Sequence, residues 1–77
     1  MVEATVKLST KDEIEDFVYL MGLCPGEVKV YCDERITDGK SIIALLTLGN
    51  TFPAKFRFEI DGEIPNEVKM GIKKYTI

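Results

Sequence analysis

Polar and apolar residues alternate from the start of the chain, with Val2, Ala4, Val6 and Leu8 separated by Glu3, Thr5 and Lys7. A period of two puts one set on a buried face and the other in water, which predicts a first strand ending near Leu8. The period then changes. Ile14, Phe17, Val18 and Met21 recur at helical spacing, and Thr10 followed by Glu13 has the form of a capping box, in which a hydroxyl and a carboxylate satisfy each other's backbone amides. Asp12, Glu15 and Asp16 bring negative charge to the positive end of the helix dipole, and Gly22 is a suitable stop.

After Cys24-Pro25-Gly26, the residues Val28, Val30 and Cys32 alternate with Lys29 and Tyr31. A polar turn at Asp33 and Glu34 then leads into a short extended stretch from Arg35 to Thr37, so this region reads as a hairpin. Asp38-Gly39-Lys40 ends it, and Ser41 opens a short apolar segment through Leu48 that Gly49-Asn50 closes as a helix stop. Its β-branched residues leave a strand open as the alternative. Ala54, Phe56, Phe58 and Ile60 alternate with Lys55, Arg57 and Glu59 in a further strand, and Pro65 suits the first turn of a last helix with Val68, Ile72 and Tyr75 as its inner stripe. The order β-α-β-β-α-β-α predicts an α+β fold, a three- or four-stranded antiparallel sheet with helices on one face.

Composition narrows function more than fold. A chain of 77 residues is expected to form one domain over 1–77, and 45% hydrophobic with 30% charged residues is ordinary for a globular protein. The net charge is −3, with acids concentrated in the first half, so broad attraction to nucleic acid is not expected. Lys55-Phe56-Arg57-Phe58 interleaves cations and aromatics as an RNA-stacking strand does, but alternation turns both phenylalanines inward. No apolar run reaches the roughly 20 residues of a membrane span, and the amino-terminal stretch lacks a signal-peptide pattern, so a cytoplasmic protein is expected. Cys24 and Cys32, in a sequence with no histidine, are too few for a structural zinc site and read as reduced structural thiols. There is no Gly-rich phosphate loop, Ser/His/Asp set or Cys/His pair, and the acids of the first helix read as solvated; no catalytic residue, metal or cofactor is expected, and the chain is not expected to be an enzyme.

From Glu34 to Gly49 the chain reads ERITDGKSIIALLTLG. Glu34-Arg35, Lys40-Ser41, the aliphatic pair Ile42-Ile43, then Leu45, Leu48 and Gly49 resemble the serine-site signature of HPr proteins, the small phosphocarriers of the bacterial phosphoenolpyruvate-dependent sugar phosphotransferase system. The resemblance implies the HPr open-faced β-sandwich. In that family a dedicated kinase phosphorylates this serine, and the modified protein acts as corepressor of a catabolite-control transcription factor. By position Ser41 is then a regulatory phosphorylation site, and Lys40, Ile42, Ile43 and Leu46 are a partner-binding surface facing a serine kinase and a transcriptional regulator.

The physics of a helix start agrees, because free backbone amides and the dipole favour added phosphate charge. Lys40 is expected to screen that phosphate and Asp38 to oppose it. The plainer role for Ser41 is a helix cap. The spacing also buries Ile42, Leu45 and Leu48, leaving Ile43 and Leu46 as the expected exposed contacts.

The family's second motif, a Gly-aliphatic-His-small-Arg-Pro run that carries the phosphoryl group, is missing. Counting back from Ser41 puts the histidine position near Thr10 and the arginine position near Asp12, in a loop a few residues short. A phosphoryl group there would face Asp12, Glu13, Glu15 and Asp16 with only Lys11 in compensation, so repulsion opposes carrier function. The expectation is an HPr-like regulatory protein without the phosphoacceptor histidine, switched at Ser41. The alternatives are a constitutive interaction module of the same fold and, more remotely, residual phosphotransfer through a residue near Thr10.

Overall fold

The computed structural model describes residues 2–48 and 53–77. The elements follow in the order β1 (Val2–Leu8), α1 (Lys11–Gly22), β2 (Val28–Cys32), β3 (Arg35–Asp38), α2 (Ile42–Leu48), β4 (Ala54–Ile60) and α3 (Asn66–Ile72). The strands form a four-stranded antiparallel sheet in the order β1-β4-β2-β3. β4 therefore runs between β1 and β2. The crossovers through α1 and α2 each pass over one strand and leave their helices on the same side.

The period-two pattern decides which side. Val6 and Leu8 of β1, Val28 and Val30 of β2, and Ala54, Phe56, Phe58 and Ile60 of β4 are all buried, and they meet Ile14, Phe17, Leu20 and Met21 of α1, Leu45 of α2 and Val68 and Ile72 of α3. Phe17 and Phe58 meet edge to face with ring centroids 5.6 Å apart, worth about 0.5–1.5 kcal/mol beyond the area they bury. The other side of the sheet has no covering layer among the described elements.

Two glycines are required by close approach. A Cβ at Gly26 would lie 1.9 Å from the Asp61 backbone oxygen, and one at Gly39 would lie 2.4 Å from Val28 Cγ1. Gly39 thus lets the chain pass tightly over β2 just before α2 begins.

Several expectations need correction. Residues 42–48 form a helix and not the alternative strand, while the Gly49-Asn50 stop lies outside the described residues. The inner stripe of α1 includes Leu20, and Val18 sits at its half-buried margin. Cys32 is half-buried near the hairpin end, whereas Cys24 is fully inside, and both are free thiols. The capping box is offset by one residue: Thr10 Oγ1 accepts from the Glu13 amide at 3.2 Å, but Glu13 Oε1 accepts from Ser9 N–H, at 2.7 Å. Pro65 is the N-cap of α3 and not its first turn. The chain end also does more than close a helix. Lys7 N–H donates to Tyr75 O at 2.8 Å and Ile77 N–H to Thr5 O at 3.0 Å, covering part of the outer edge of β1, where unpaired strand groups would otherwise invite another chain.

Candidate functional site

Ser41 is the N-cap of α2. Its backbone N–H donates to Asp38 O at 3.2 Å, its carbonyl accepts from Leu45 N–H at 3.1 Å, and its Oγ accepts from Ala44 N–H at 3.3 Å. The turn that delivers it is tied by Asp38, whose Oδ1 accepts from Lys40 N–H at 2.9 Å. The residue is half-buried, and its hydroxyl caps the helix.

The neighbours are arranged differently from the expectation. Lys40 is exposed, but its Nζ donates to the Cys24 carbonyl at 2.8 Å, pinning the start of α2 to the α1–β2 loop. That ammonium is already engaged, which weakens the expected screening of a phosphate on Ser41. Ile43 is 75% exposed and stands free. Leu46 is not a free contact: it and Ile42 are partly buried and packed against the core around Leu45. At 100° per residue, Leu46 lies about 40° from Ile42 on the helix wheel, on the flank of the buried stripe. Nothing is described of the Leu48 side chain.

Thr10, near which the missing histidine's position was expected, lies at the start of α1. Thr10 is exposed and extended, with φ −140° and ψ 164°, and its hydroxyl is committed to the Glu13 amide. Glu13 brings its carboxylate back to Ser9, so a negative side chain of the protein itself occupies this end of the helix, and Asp12, near which the arginine position was expected, is exposed.

Sequence reasoning missed a cation here, Lys74. Lys7 and Lys74 line an open groove of about 390 Å3 with Ser9, Glu13 and Tyr75. Lys74 Nζ lies 3.6 Å from Asp16 Oδ2, and Tyr75 OH donates to the same carboxylate. Asp16 is therefore a structural partner of the chain end and not one more solvated acid, and Lys11 is not the only compensating cation. Burial and the hydrogen bond to Asp16 hold the Tyr75 phenol up at about 12. Burial also pushes both thiols up, so neither cysteine is an activated nucleophile. The aromatic run of β4 presents no stacking surface, because Phe56 and Phe58 are fully buried. Among the described residues no three acidic or thiol side chains gather as a metal site would need, and no helix is long and apolar enough to cross a membrane.

No protein-family model matches the chain, and no curated protein matches it. Among solved structures, the crystal structure of HPr-C-His from Thermoanaerobacter tengcongensis is similar with a TM-score of 0.75, at 19% identity, over 96% of this chain and 89% of that one. At that identity the likeness is one of fold, and the fold is HPr-like: an α+β open-faced sandwich in the order β-α-β-β-α-β-α.

Proposed function

We propose that residues 1–77 act as one HPr-like regulatory domain, not an enzyme, in which Ser41 is phosphorylated and the start of α2 then docks on a partner protein. The observation that carries this reading is the pairing of a cap hydroxyl on half-buried Ser41 with the exposed side chain of Ile43 beside it. Lys40 and the outer margins of Ile42 and Leu46 complete the contact surface. The missing histidine and the self-capped start of α1 count against a carrier role. The partners are a serine kinase and a transcriptional regulator, with no direct role for nucleic acid, membrane, metal or cofactor, and the setting is the cytoplasm. The test is the intact mass of the protein after incubation with ATP and an HPr-type serine kinase. One added phosphate that Ser41→Ala abolishes is the expected result. No addition, with the kinase active on an HPr substrate, overturns the switch.

One observation favours a second reading, a constitutive module that answers to no kinase. The Lys40 ammonium is held on Cys24 and the Asp38 carboxylate stands in the same turn, so a phosphate on Ser41 gains no ready cation. Partner affinity unchanged in both Ser41→Ala and Ser41→Asp selects this reading.

A further inference from the structure

We propose that the open face of the sheet is self-complementary and packs against the same face of a second copy of this chain. The register sets out that face as rows across the strands. One outer row runs Glu3, Glu59, Lys29, Asp38, and the central row runs Thr5, Arg57, Tyr31, Ile36. At the other end Lys7 is directly opposite Lys55, and the hairpin turn at Asp33 and Glu34 continues that edge.

The two lysines are the unusual feature. Like charges directly opposite on neighbouring strands are unfavourable, and among the described residues neither has an ion-pair partner within its own chain. The carboxylates of Glu3 and Glu59 stand at the opposite end of the same two strands.

A two-fold axis lying along the central row relieves this. It lays one outer row over the other, so Glu3 faces Lys7 of the second copy, Glu59 faces Lys55, and Lys29 faces the Asp33 turn. Only the Asp38 column meets an acid, and its carboxylate is already occupied by Lys40 N–H. On the axis, Arg57 comes against its own counterpart but carries its neutralising groups with it: Glu3 and Glu59 each lie 2.9 Å from Arg57 Nη1. Its guanidinium lies 4.0 Å above the centre of the Tyr31 ring, and Tyr31 OH donates to Glu59 at 2.8 Å, so the central side chains are tied to one another before contact. Ile36, 65% exposed, meets its own copy and supplies apolar area.

The result is two sheets packed face to face with strands aligned, as in a β-sandwich. Strands about 4.8 Å apart make the face about 19 Å wide. Strands of five to seven residues at about 3.4 Å each make it about 17–24 Å long, so the two copies together cover roughly 800 Å2, below the standard size of a stable interface, and the dimer is weak and concentration-dependent.

The test uses the full chain and two charge-reversed variants, Lys7→Glu with Lys55→Glu, and Glu3→Lys with Glu59→Lys, each checked for folding by circular dichroism. Sedimentation equilibrium is run over concentrations up to about 1 mM, the range of weak complexes. Wild type is expected to dimerise, each variant alone to remain monomeric, and their equimolar mixture to associate, because in the mixed pair every reversed row faces its opposite. Ile36→Lys, at an already exposed position, is expected to weaken the wild-type dimer by roughly tenfold or more. A wild type that stays monomeric throughout, variants that dimerise as wild type does, or a mixture that does not associate overturns the proposal.

Discussion

Replacing Ser41 by alanine tests the cap and the switch with one variant, provided its cost to the fold is known beforehand. The Ser41 hydroxyl accepts from Ala44 N–H at 3.3 Å, a long bond, and the site is half-buried. Loss of an N-cap typically costs about 0.5–2 kcal/mol, and the long bond puts this one at about 0.5–1 kcal/mol. In a domain of this size 1 kcal/mol moves the melting temperature by about 4–8 °C, so Ser41→Ala is expected to melt roughly 2–8 °C below wild type. Ser41→Asp keeps an acceptor at the cap and brings negative charge to the helix start, so it is expected to melt within about 2 °C of wild type. Thermal and urea unfolding of the three proteins, followed by circular dichroism, gives the comparison. Ser41→Ala as stable as wild type refutes the cap, and the hydroxyl is then free of the helix. The ordering Ala below Asp and Asp near wild type supports it. Any partner assay with Ser41→Ala must be run below the lowered transition, so that lost binding is not lost folding.

Gly39→Ala pushes a methyl group into Val28 and Val30; overpacking of this kind costs about 1–3 kcal/mol, and urea unfolding reads it, with an unchanged midpoint counting against the close approach. Ile43→Ser changes stability by no more than about 0.5 kcal/mol but weakens partner binding, whereas Leu46→Ser loses core packing and costs more than about 1 kcal/mol; equal costs for the two refute the assignment of inner and outer sides. The Tyr75 phenol is raised from 10.0 to about 12, so the folded state retains a proton the unfolded state has lost; the contribution is fully present below pH 10 and disappears as pH rises to about 12. Stability followed across that window is expected to fall more steeply in wild type than in Tyr75→Phe, and parallel curves refute a phenol raised by burial and by its bond to Asp16.

The fold was legible where one physical cause dominated. Alternation placed Phe56 and Phe58 inward without help from the rest of the chain, because a strand has only two sides. Helical spacing found Ile14, Phe17 and Met21 but missed Leu20. Whether the edge of a helical stripe is buried depends on what packs beside it, and here that includes α3, whose Gly71 leaves room against the Leu20 side chain. The pairing of the chain end with β1 was invisible for a related reason. Tyr75 reads as the last residue of a helical stripe, and only the closed sheet shows an unpaired edge at Lys7 for its carbonyl to cover.

The candidate site divides along the same line. Ser41 and Ile43 were legible because a cap is a local motif and an exposed helical position follows from its neighbours. The destination of the Lys40 ammonium was not, since a long flexible side chain can reach a carbonyl on any element the fold brings near. The two helix starts then differ in a way that bears on function. At α1 the protein's own Glu13 carboxylate closes the amide of Ser9 and Thr10 closes that of Glu13, so an incoming phosphoryl group meets a negative charge already in place. At α2 one neutral hydroxyl holds one amide through a long bond, and that hydroxyl is itself the group a kinase would modify. Modification there exchanges a weak cap for a charged one at the positive end of a dipole, without displacing a carboxylate. That asymmetry is what favours the proposed switch at Ser41 over one at Thr10.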